Sequence, residues 1–112
     1  MRRDRWPVIL ESGFRDNVAK GWSVDIFCCE VHRSKSNLWS GRWQIACVSP
    51  DGEERRLLVI QRNIEPREFL TANGVISFLV DIGFVTAALP LKAGASVSIG
   101  EEHRMQPEPS ED

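Results

Sequence analysis

A chain of 112 residues fits one domain and is long enough to bury a core without disulfide or metal staples. Its 42% hydrophobic and 27% charged residues are ordinary for a soluble globular protein. A net charge of −2 and a pI near 5.7 speak against a dedicated polyanion binder.

The average hides an asymmetry. Residues 101–112 hold five acids against one arginine, −4, whereas residues 1–100 carry 13 bases against 11 acids, +2. Composition therefore predicts one mildly basic domain over 1–100, then a disordered acidic tail over 101–112 rich in Pro, Glu and Ser. Cys28, Cys29 and Cys47 are odd in number. Two are adjacent in a predicted strand, where neighbouring side chains point to opposite faces. That pattern suits small buried thiols in a reducing compartment. The apolar run over residues 6–10 is too short for a signal segment, and no run approaches a membrane span. The expected location is cytoplasmic, with no membrane contact.

In chain order, residues 1–21 are the hardest to read and form a poorly defined arm. Pro7 confines residues 8–10 to an edge strand or a packed arm, and residues 14–20 suit one helical turn stopped at Gly21. Residues 22–32 read as a strand. Their apolar alternation starts on even positions (Trp22, Val24, Ile26) and ends on odd ones (Phe27, Cys29, Val31). Such a phase switch predicts a bulge near Cys28 and Cys29, or a strand buried on both faces at its centre. A polar turn over 33–37 leads to a second strand, 38–48, with Trp39, Trp43, Ile45 and Cys47 on one face.

Ser49-Pro50-Asp51-Gly52 is the clearest turn, because Pro50 pre-sets φ and Gly52 can take a positive one. Residues 55–62 then return antiparallel. With Ser49 opposite Glu53, Ile45 faces Leu57 and Trp43 faces Val59. The other face pairs Ala46 with Arg56, Gln44 with Leu58, Arg42 with Ile60 and Ser40 with Arg62. The ribbon thus separates an apolar side from a basic one.

The main helix is expected within 69–84. Val75, Phe78, Leu79 and Ile82 recur at i, i+3, i+4, i+7 and make one apolar stripe. Thr71 is its N-cap and Gly83 its left-handed terminator. A start at Pro66 would bury Gly74 mid-helix at about 1 kcal/mol against alanine, so the later start is preferred. Residues 84–89 read as a fourth strand ended by Pro90, and 95–99 as a short edge strand. The predicted fold is a two-layer α+β sandwich, order β-β-β-α-β, with an antiparallel sheet of four to five strands and one main helix. Its second face must be solvated, covered by the N-terminal segment, or buried against a partner.

No nucleophile elbow, phosphate loop, dinucleotide fingerprint or zincin motif is present, and no cofactor is expected. Cys28 and His32 lie four residues apart on a strand, roughly 13 Å, too far for one metal. An enzyme using Cys28 or Cys47 would need a thiol pKa well below normal. The leading expectation is a small non-enzymatic module that holds single-stranded nucleic acid through Arg33, Lys35, Arg42, Arg56 and Arg62 on the basic sheet face. The alternative is a protein-interaction or inhibitor module, of the kind found among accessory proteins of mobile elements, anchored by Trp6, Trp22 and Leu58. Self-association through a sheet face or edge is expected in either case, as a homodimer. A fold-class analogy with small single-strand-binding modules carries no motif.

Overall fold

A computed structural model describes residues 6–104. Its best-specified element is helix α2, Ala72–Asp81. The Thr71 hydroxyl accepts from the Gly74 N–H at 2.9 Å, satisfying one of the first-turn donors that a helix leaves unpaired. The stripe Val75, Phe78, Leu79 and Ile82 is buried, and Gly83 takes φ +109° just past the end.

Before it come β1 (Val8–Ile9), α1 (Glu11–Ala19), β2 (Ser23–Arg33), β3 (Trp39–Val48), β4 (Arg55–Leu58) and β5 (Phe69–Thr71); β6 (Ser96–Ile99) follows it. The sheet order is β1-β4-β3-β2-β6, with β5 beside β3. This is an α+β fold, but of six strands and two helices, and the sheet is mixed because β1 runs parallel to β4. The long β2–β3 ribbon carries the predicted bulge, between Cys28 and Glu30.

Three parts of the predicted topology need correction. First, the β3–β4 register is shifted by one: Ala46 pairs with Leu57 and Cys47 with Arg56. The turn is a residue longer than its Pro-Asp-Gly core implies, because the Asp51 carboxylate accepts from the Ser49 hydroxyl (2.6 Å) and the Glu53 N–H (2.9 Å). Ser49 N–H therefore closes onto the Glu54 carbonyl (2.9 Å) instead of facing Glu53. A slip of one residue moves every side chain of β4 to the opposite face. Second, β4 stops at Leu58, and the far half of β3 pairs with β5 (Trp43 with Phe69, Ser40 with Thr71). The Arg42–Ile60 and Ser40–Arg62 pairs do not form. Third, residues 84–89 are not a strand: Phe84 makes one bridge to Arg104, and the rest is irregular.

Residues 101–104 also leave the predicted tail. Glu101–His103 forms a 3-10 turn, and Val85 N–H donates to the His103 carbonyl (2.8 Å). The remainder of that tail, 105–112, and residues 1–5 of the arm lie outside the described residues.

Both helices pack on one face of the sheet. Phe14 and Val18 of α1 and the α2 stripe meet Val24, Ile26, Cys28, Trp43, Ile45, Cys47 and Leu58. Trp43 is fully buried, and its indole N–H donates to the Pro90 carbonyl at 2.9 Å. Trp39, expected beside it, lies past an irregularity between Ser40 and Trp43 and is 37% exposed. The other face has no helix, yet Ala46 and Leu57 are buried there. The N-terminal segment accounts for this: Trp6 packs edge-on against Phe27 of β2, centroids 5.5 Å apart, so it crosses the outer face.

Candidate interaction site

Consecutive residues of a strand project to opposite faces, so Arg55 and Arg56 of β4 straddle the sheet. Each guanidinium lies over a tryptophan. Arg55 Cζ is 5.4 Å from the Trp6 ring on the outer side, and Arg56 Cζ is 5.6 Å from the Trp22 ring on the helix side. Both distances fall within the range in which a cation is attracted by the ring quadrupole. Trp22 is placed by the turn that ends α1, and Trp6 by β1, whose Pro7 carbonyl accepts from Leu57 N–H at 2.8 Å. A groove of about 510 Å³ opens between Trp6–Pro7 and the segment Gly52–Arg56. Arg56 also pairs with Glu54 at 2.8 Å. The Trp6 indole N–H is buried without a hydrogen-bond acceptor among the described residues.

The site joins Trp6, Trp22 and Arg56, which the sequence reading had put in different groups, and adds Arg55, which it omitted. The signal for Arg55 was its place beside Arg56 just after the Pro-Asp-Gly turn. Without the long-range β1–β4 pairing it pointed nowhere. Leu58, expected to anchor a partner, is fully buried beneath the helices, a direct consequence of the register shift.

The five basic residues do not share a face. Arg33 sits at the far end of the ribbon, bonded to Asn37 (2.7 Å) and over the Trp39 ring (5.7 Å), with Lys35 in the adjoining turn. Arg56 pairs with Cys47 near the opposite end. Trp39 to Cys47 spans about 27 Å at strand rise. Arg62 lies in the loop after β4, off the sheet. Arg42 is on the outer face but is flanked by carboxylates, at 2.9 Å from Glu30 and 3.0 Å from Glu68. Hydrogen bonds from His32 and then Arg42 hold the Glu30 carboxyl below its ordinary range, so this cluster is internally compensated.

Burial pushes the thiols of both Cys28 and Cys47 above their ordinary pKa. Among the described residues, no group of three or more His, Cys, Asp or Glu side chains could hold a metal ion, and no helix is long and apolar enough to cross a membrane.

One ion-pair cluster yields a pH prediction. Glu11 bonds Arg15 (2.8 Å) and Arg67 (2.6 Å), and these partners hold its pKa below the ordinary 4.5. Because the folded-state pKa is depressed, the stabilisation is present above the unfolded value and is lost as pH falls through the folded one. Glu11→Gln is expected to be less stable than the wild type at neutral pH by about 0.5–1 kcal/mol, typical of partly exposed pairs. The gap should close below pH 4, as read from urea midpoints across pH. A gap that stays constant down to acid would sink this account.

Compared with known proteins, the chain matches no family model, no curated protein and no solved structure.

Proposed function

We propose that this chain is a small non-enzymatic binding module that recognises a protein partner at the Trp6–Arg55 and Trp22–Arg56 end of its sheet. The observation that carries this reading is the stacking of two consecutive arginines on two tryptophans beside a groove of about 510 Å³. Tryptophan and arginine dominate the binding energy of protein interfaces, because they bury large rigid area while keeping a polar end. Cation–π stacking holds these side chains in place before a partner arrives, lowering the ordering cost of binding.

Nucleic-acid binding is supported less well. It needs several unpaired cations along one track, and here Arg42 is compensated while Arg33 and Arg56 lie far apart. The raised thiol pKa values support structural cysteines over nucleophiles.

The test is affinity capture from the protein's own cells with wild type and with the Trp6→Ala/Arg55→Glu double variant. A stoichiometric partner held by the wild type at about 0.5 M salt, where surface charge is screened, and lost by the variant is expected. Equal capture by both, or nothing beyond salt-labile oligonucleotide, would overturn the assignment.

A further inference from the structure

The loop after β4 is strained in a place where strain was avoidable. Residues 60–64 make a single helical turn, with Ile64 N–H donating to the Ile60 carbonyl at 3.1 Å. The Ile60 N–H in turn donates to the Glu65 carbonyl at 2.9 Å, and Val59 bridges Pro66. The residue that closes such a turn takes a left-handed conformation, which suits glycine or asparagine. Here it falls on Ile64, at φ +55°. Asn63 stands one position too early. A β-branched residue at positive φ crowds its Cβ against the following carbonyl oxygen. Ile64 is also 55% exposed, so no packing within the described chain offsets the strain. Strain of this kind persists where a ligand or partner uses the strained side chain.

Beside this knob lies a matching hollow. A groove of about 350 Å³ runs between Leu10–Ser12 and Val59–Gln61, with Leu10 and Ile60 each 38% exposed at its rim. The charges that line it, Glu11 and Arg67, already satisfy each other at 2.6 Å. The groove therefore asks an occupant for aliphatic surface and not for charge. A knob and a hollow side by side on one surface are self-complementary under a two-fold axis, since each copy then fills the other's hollow. The geometry points to a symmetric dimer of this chain in which Ile64 of each copy enters the Leu10–Ile60 groove of the other. This surface is distinct from the tryptophan–arginine site, so the two assignments stand or fall separately.

The experiment is sedimentation velocity and thermal melting of the full chain from about 1 to 200 μM, a range spanning micromolar affinities. The wild type is expected to shift from monomer to dimer across that range, with Tm rising with concentration. Ile64→Asn should remain monomeric at the highest concentration, as should Leu10→Lys. At the lowest concentration Ile64→Asn should melt about 4–8 °C above the wild type, because the strain is relieved. The double variant Trp6→Ala/Arg55→Glu should dimerise like the wild type. A wild type that stays monomeric throughout overturns the proposal and leaves the loop to an unlike protein. So does an Ile64→Asn variant that still dimerises, or one that melts below the wild type when dilute.

Discussion

Replacing Gly41 by alanine is expected to cost about 3 kcal/mol or more, at or above the upper end of ordinary overpacking. Gly41 is buried in β3 opposite Val31, just past the bulge of β2. A Cβ there would sit 2.1 Å from the Glu30 carbonyl oxygen and 2.9 Å from both its carbon and the Val31 Cα. All three are backbone atoms of a paired strand, so no side-chain rotation can make room. The ribbon would have to open at its bulge, and Glu30 would move away from Arg42. Small domains have only about 5–15 kcal/mol in total, so a large share of the stability is at stake. Urea unfolding should show a much lower midpoint with an unchanged slope, the sign of lost stability without a changed unfolded state. A midpoint close to that of the wild type would mean that the strands do not approach so closely.

Trp43→Ala should be comparably severe, about 3–5 kcal/mol for a large aromatic removed from a core that cannot collapse fully around the void. Trp43 is 0% exposed, lies between Cys28 of β2 and Phe69 of β5, and ties down the irregular segment through the Pro90 carbonyl. Trp43→Phe separates the two roles. It keeps most of the apolar volume but orphans a carbonyl, for about 1–3 kcal/mol. In hydrogen exchange, this variant should lose protection first around Gly94 and Ala95, whose N–H groups donate to Cys28 and Lys92, while α2 stays protected. Uniform loss of protection would show that Pro90 is not held through the indole.

The candidate site was legible as residue types and illegible as a place. Tryptophans without an assigned face and an arginine-rich ribbon are visible in the sequence. That Arg55 meets Trp6, and Arg56 meets Trp22, depends on a turn one residue longer than its Pro-Asp-Gly core suggests. The same extra residue carries Leu58 inward and deprives the ribbon of a uniformly basic side. Arg42 follows the predicted direction, but the carboxylates beside it, Glu30 and Glu68, come from β2 and the approach to β5.

The sequence by itself determined what lies within about one turn or one strand. It placed α2 with its buried stripe, Thr71 cap and Gly83 stop, the bulge at Cys28, and the turn at Gly52. Those features rest on side-chain period, capping hydrogen bonds and allowed φ, which act between near neighbours. Only the tertiary structure decided the parallel docking of β1, the replacement of the far half of β4 by β5, and the failure of residues 84–89 to form a strand. Each is a competition between distant segments for the same backbone edge. Its outcome depends on which pairing buries more apolar surface, a quantity that no local pattern contains.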